Sequence, residues 1–103
     1  MKLTNQLDQF LHTAANDDRL LPSHISLYMA MFYYSPDKPG ERFEVSRKKL
    51  MRFSRIKSVA TYHKCIKELV AYSYVDYQPS YDPYRASSIA LLITHTGKAR
   101  YVG

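Results

Sequence analysis

The chain has 103 residues, 46% hydrophobic and 23% charged, with 15 Lys+Arg against 9 Asp+Glu and a formal net charge of +6; such a length suits a single folding unit, residues 1–103, of radius of gyration roughly 13 Å and leaves no room for a second. One cysteine and four histidines exclude an internal disulfide and a structural zinc set, and three glycines cannot spell a P-loop or a dinucleotide fingerprint. The longest apolar run, residues 27–34, is far short of the ~20 residues of a membrane span, and the amino terminus lacks the basic-then-apolar order of a signal peptide, so a reduced, cytoplasmic protein without membrane, metal or cofactor is expected.

In chain order, Leu3, Leu7, Phe10, Leu11 and Ala14 recur at i, i+4, i+7, i+8 and i+11, the stripe of an amphipathic helix, with Thr4 placed to cap it. Pro22 and Ser23 open a second helix over 22–35 in which Ile25, Tyr28, Met29, Phe32 and Tyr33 share a face; Pro36 and Pro39-Gly40 close it. Leu27, Ala30, Met31 and Tyr34 make its other side apolar too, so this helix is expected to be buried on more than one side, centrally or against a second copy. Phe43 and Val45 alternate with Glu44 as a short strand ending at Ser46. Ser46 reads as an N-cap, with Val45 and Leu50 as the hydrophobic staple of a short helix over 47–53. A tight turn over 54–57 follows, and Ser58 caps a longer helix with Tyr62, Cys65, Ile66, Leu69 and Val70 on its apolar face, ending near Tyr72. Val75 and Tyr77, then Ile89, Leu91 and Ile93, alternate as two strands of a hairpin around a turn-rich loop over 79–87. A tail over 94–103, with a short helix around 98–102, ends the chain.

The charge is local. Residues 1–40 sum to −1 and residues 71–103 to +1, whereas residues 41–70 carry the whole +6. A basic block on a folded element is the electrostatic footprint of a phosphate-binding surface; a solvated basic face has the same count. The position of three of these cations favours the first, although exposed cations at a helix start cost little once salt screens them. Arg47, Lys48 and Lys49 fill the first turn of a helix, where unpaired N–H groups disfavour cations by about 0.3–1 kcal/mol each. A chain shaped by stability alone would place Asp or Glu there, and phosphate oxygens approaching a helix N-terminus would reward the cations.

The order of helix, short strand, short helix, tight turn, longer capped helix and long-looped hairpin resembles the winged helix-turn-helix superfamily over residues 45–93. The likeness is sharpest in Val45-Ser46-Arg47-Lys48-Lys49-Leu50 and in Ser58-Val59-Ala60-Thr61-Tyr62-His63-Lys64-Cys65-Ile66-Lys67-Glu68-Leu69, which look like that family's second helix and recognition helix. Ile93-Thr94-His95-Thr96-Gly97 resembles a Leu-Thr-x-x-Gly stretch that follows the wing in several regulator families. The chain departs from the pattern at Ser73 and in the turn at Ser54 and Arg55, where the family usually or often has glycine. The resemblance implies a mainly α, α+β fold: a three-helix core and β-hairpin wing over 41–93, preceded by N-terminal helices over 1–40 with one helix beyond the family's usual set. It also implies a non-enzymatic protein that binds double-stranded DNA, with the helix over 58–72 in the major groove.

On that helix Ala60, His63, Lys64, Lys67 and Ala71 lie opposite the apolar face, Ser58 and Thr61 near its start can donate to phosphates or base edges, and Lys64 can reach guanine O6 and N7. Arg47 and Lys48 at the preceding helix, Arg55 and Lys57 in the turn, and Arg85 at the wing tip are placed for backbone phosphates. The ordinary alternatives are that Ser58 is only a cap, that Lys64 pairs with Glu68 at i+4, and that Tyr81 and Tyr84 pack the wing loop. His63 and Cys65, two apart on a helix, face different directions and make no metal pair, and Cys65 reads as a small core residue. The biological uses implied are a bacterial transcriptional regulator associated with the nucleoid or, alternatively, a replication-initiation or excision accessory protein of a plasmid or conjugative element. A protein-interaction winged helix whose basic middle meets an acidic partner is the rival from another class. Homodimerisation through residues 22–35 or the tail is expected, because a single unit covers few base pairs.

Overall fold

The structure, a computed structural model, describes residues 6–38, 40–80 and 85–92. Among them the chain runs α1 (Asp8–Ala15), α2 (Pro22–Tyr34), β1 (Phe43–Val45), α3 (Arg47–Ser54), α4 (Val59–Ala71), β2 (Val75–Gln78) and β3 (Ser87–Leu91). The result is a small, mainly helical α+β arrangement with four helices and a three-stranded antiparallel sheet of order β1-β3-β2. Thr4, Tyr81, Tyr84, Ile93 and the tail over 94–103 lie outside the described residues.

Helix α1 is held by one ring. Phe10 is buried and stacks on Tyr28 at 3.7 Å between centroids with the planes 4° apart, while Tyr74 meets it edge-on at 5.6 Å. Leu7 and Ala14 flank Phe10 against the core. Leu11, expected on the same stripe, is exposed. The helix touches the rest of the molecule along a seam at i, i+3 and i+7 that is too narrow to include i+4.

Helix α2 is central, packing against α3, α4 and β3. Its inner side is His24, Leu27, Tyr28, Ala30, Met31 and Phe32, all buried. The face expected from the sequence was therefore rotated: Ile25 and Tyr33 are exposed and Met29 is half-buried. A helix apolar all round does not reveal by periodicity which side faces the core.

The expected hairpin is β2–β3, with Val75 opposite Leu91 and Tyr77 opposite Ile89. Strand β1 adds to the other edge of β3, Phe43 opposite Ile89 and Val45 opposite Ser87. Central β3 consequently buries Ser87, Ile89, Ala90 and Leu91. Arg42, just before β1, bonds Ser88 at 2.8 Å and pairs with Asp76 across the sheet.

Among the described residues, two that are not glycine stand in the left-handed region, Arg55 at φ 67° and Ser73 at φ 69°. Ser73 closes α4 with paired bonds, its N–H to the Val70 carbonyl at 3.0 Å and the Tyr74 N–H to the Leu69 carbonyl at 2.9 Å. Buried Tyr74 then packs where such a closure needs an apolar residue. The Cβ of Ser73 works against this geometry. Ser73→Gly is expected to stabilise the fold by about 0.5–1 kcal/mol, after the greater freedom of glycine in the unfolded chain is subtracted. Thermal unfolding should show this as a rise of several degrees, at roughly 4–8 °C per kcal/mol for a domain of this size. An unchanged midpoint would mean that serine adopts the turn without cost.

Polar bonds fasten the α1–α2 link to the end of α4. The Asp17 carboxylate accepts from the Arg19 guanidinium at 2.8 and 2.7 Å and from the Tyr74 hydroxyl at 2.7 Å. The Arg19 bonds hold the Asp17 carboxyl well below the usual carboxylate range, against the opposing effect of burial. Arg19 also lies over the Tyr72 ring, 4.1 Å from its centroid. Buried His24 accepts the Leu21 N–H at Nδ1 (2.8 Å), which places the ring proton on Nε2, where it is donated to Glu68 at 2.7 Å.

Candidate nucleic-acid interface

Helix α3 begins where its sequence says it should. Ser46 is extended and its Oγ accepts the Lys49 N–H at 3.2 Å, while the first turn holds Arg47, Lys48 and Lys49 and no acid. Lys48 and Lys49 are exposed and Arg47 is half-buried. Burial and the hydrogen bond it shares with Tyr77 push the Tyr62 hydroxyl well above the usual phenol range, against the opposing charge of Arg47. Tyr62, Tyr77 and Ser87 are joined through their hydroxyls at 3.2 and 3.1 Å. Thus α4 is tied to the base of the hairpin.

The α3–α4 turn is anchored from inside and charged outside. Ile56 is buried, and the Ser26 hydroxyl of α2 donates to the Ser54 carbonyl at 2.6 Å. Arg55 and Lys57, on either side of Ile56, point to solvent. The positive φ at Arg55 turns the chain there without a glycine.

Helix α4 is amphipathic. Tyr62, Cys65, Ile66 and Leu69 are buried; Ala60, Thr61, His63, Lys64, Lys67 and Ala71 are exposed. Val70, expected inside, is exposed, because the seam with α2 and β2 follows 62, 65, 66 and 69. Ser58 caps the helix by accepting the Thr61 N–H at 3.2 Å, which leaves its own hydroxyl proton available. His63 and Cys65 do part company: the thiol is buried beside the Ser23 hydroxyl at 3.3 Å and the imidazole is in solvent.

The alternative partner for Lys64 is occupied elsewhere, since Glu68 turns inward to His24. Among the described residues, no ion pair engages Arg47, Lys48, Lys49, Arg52, Arg55, Lys57, Lys64, Lys67 or Arg85. Arg42 is the exception within the basic block, neutralised by Asp76. Arg52, overlooked as a site residue, is exposed one turn beyond Lys48 on α3; the i, i+4 spacing of the two was the available signal. Arg85 is exposed at the start of the chain leading into β3. The site residues expected on α3, the turn and α4 therefore occupy consecutive elements, with side chains that can hold phosphates or reach base edges.

No helix among the described residues is long and apolar enough to cross a membrane, and no group of three or more His, Cys, Asp or Glu side chains there could hold a metal ion. In comparisons with protein-family models, curated proteins and solved structures, nothing matches the chain.

Proposed function

We propose that this chain is a winged helix-turn-helix protein that binds duplex DNA without catalysis and serves as a transcriptional regulator. In this reading α4 enters the major groove, with Lys64 and Lys67 toward base edges and Ser58 and Thr61 at the groove wall. Arg47 and Lys48 at the start of α3, with Arg55 and Lys57 in the turn, meet phosphates on either side, and the β2–β3 hairpin brings Arg85 to the adjacent backbone.

The observation that carries this reading is the outer face of α4 and its flanks. It holds exposed cations that no described acid neutralises, and the only acid within reach on α4, Glu68, is turned away to bond His24. The absence of any acid in the first turn of α3 adds to it. The acidic-protein rival would use the same cations and differs in what it binds.

Salt titration separates them. With about six phosphates contacted, log K for a duplex should fall with log salt at a slope near −5. A flat titration, or no duplex binding at low salt, would leave the acidic-protein reading in place of this one.

A further inference from the structure

We infer that the exposed side of α2, extended by Phe53 of α3, is the surface through which two copies of this chain associate. The inference does not rest on DNA binding. Leu21, Ile25, Tyr33 and Phe53 are 50%, 36%, 63% and 43% exposed. Ile25, Met29 and Tyr33 follow one another at intervals of four residues, and Tyr33 stacks on Phe53 at 4.9 Å with the planes 27° apart. The stripe is thus continuous from the start of α2 to the end of α3. Pro22–Tyr34 contains no Asp, Glu, Lys or Arg, so the α2 part of the surface offers nothing with which to select a charged partner.

The four side chains leave on the order of 400 Å² in solvent, within the ~300–600 Å² of monomer patches that are often functional. Joining two copies removes at most about 800 Å² from these residues, and Pro22, half-buried Met29 and a polar rim bring the contact toward the about 1,000 Å² that a specific interface needs. The equal spacing is also self-complementary. With α2 antiparallel to its copy about a two-fold axis at Met29, Tyr33 of each meets Ile25 of the other, and ridges formed at i, i+4 and i+8 interdigitate. Lys49 and Arg52, exposed on α3 one turn and one residue before Phe53, stand at the rim and repel their counterparts.

Sedimentation equilibrium of the full chain without DNA, from about 1 µM to about 1 mM, tests this; reversible dimers with a dissociation constant of tens of micromolar are expected for so small an interface. Raising NaCl from about 0.1 M to about 1 M should tighten the dimer by screening the rim cations, the reverse of the trend for a polyanion contact. Tyr33→Lys should weaken association at least about ten-fold while leaving the far-UV circular dichroism unchanged, because the ring is outside the core. In the Cys65→Ser background, Met29→Cys should form a disulfide between copies under mild oxidation, and this holds as a separate check if the Tyr33 variant misfolds. A monomer throughout the range, a dimer undiminished in a folded Tyr33→Lys protein, or a dimer in which position 29 does not crosslink would each overturn the inference; loss of DNA binding alone would not touch it.

Discussion

Phe10→Ala is expected to lower the free energy of unfolding by about 3–5 kcal/mol, the largest effect of any single substitution discussed for this chain. The ring is buried between Tyr28 and Tyr74 and is the one fully buried side chain of α1. Truncation leaves a cavity that the stacked Tyr28 ring cannot fill, because Tyr28 is held by the rest of α2. Against a total stability of about 5–15 kcal/mol for a domain of this kind, that is a large fraction. Urea denaturation would show it as a lower midpoint with little change in slope. A loss under about 1 kcal/mol would mean that the packing around Phe10 closes over the gap, and α1 would then be an ornament of the fold rather than part of its core.

Lys64→Ala and Arg55→Ala should differ in kind. On the proposed duplex, Lys64 lies on the outer face of α4 and is free of Glu68, so its loss should weaken a preferred sequence by about 1–3 kcal/mol and random sequence much less. Arg55 projects from the turn, where only backbone is in reach, so its loss should weaken all duplexes alike and reduce the salt slope by about one. Competition binding with specific and random duplexes reads both. Uniform loss in both variants would show that the reading face lies elsewhere on the molecule.

Much of the local structure was legible because its causes are local. Ser46 and Ser58 announce helix starts through a side-chain oxygen and an N–H three residues on, and both bonds are present. The strands follow an alternation only a few residues long. The candidate surface was legible for a related reason: the buried positions of α4 repeat at helical spacing, which leaves Ala60, His63, Lys64 and Lys67 outside by default.

The misses lie where a choice depends on neighbours far along the chain. In α2 almost every residue is apolar, and the side facing the core was decided by where α3, α4 and β3 pack. Leu11 and Val70 fit their helical stripes and are exposed all the same, since each helix meets the body along a seam narrower than its apolar face. Nothing in the sequence linked His24 to Glu68, Asp17 to Tyr74 or Arg42 to Asp76, pairs separated by 44, 57 and 34 residues. Those bonds matter for the candidate surface, because they decide which charges are spent inside the molecule. Glu68 is withdrawn from Lys64 and Arg42 is withdrawn from the basic block, while the cations of α3, the turn and α4 stay unneutralised among the described residues.

The amino-acid sequence by itself determined where α2, α3, α4, β1 and β2 begin, that Ser46 and Ser58 cap α3 and α4, and that the excess positive charge is confined to residues 41–70. Each of these is written in side chains a few positions apart. Only the tertiary structure decided which side of α2 faces solvent, that β1 completes a sheet with β3, and which of the basic residues are left without an acid. Those are properties of surfaces brought together from distant parts of the chain, and neither periodicity nor composition carries the distance between them.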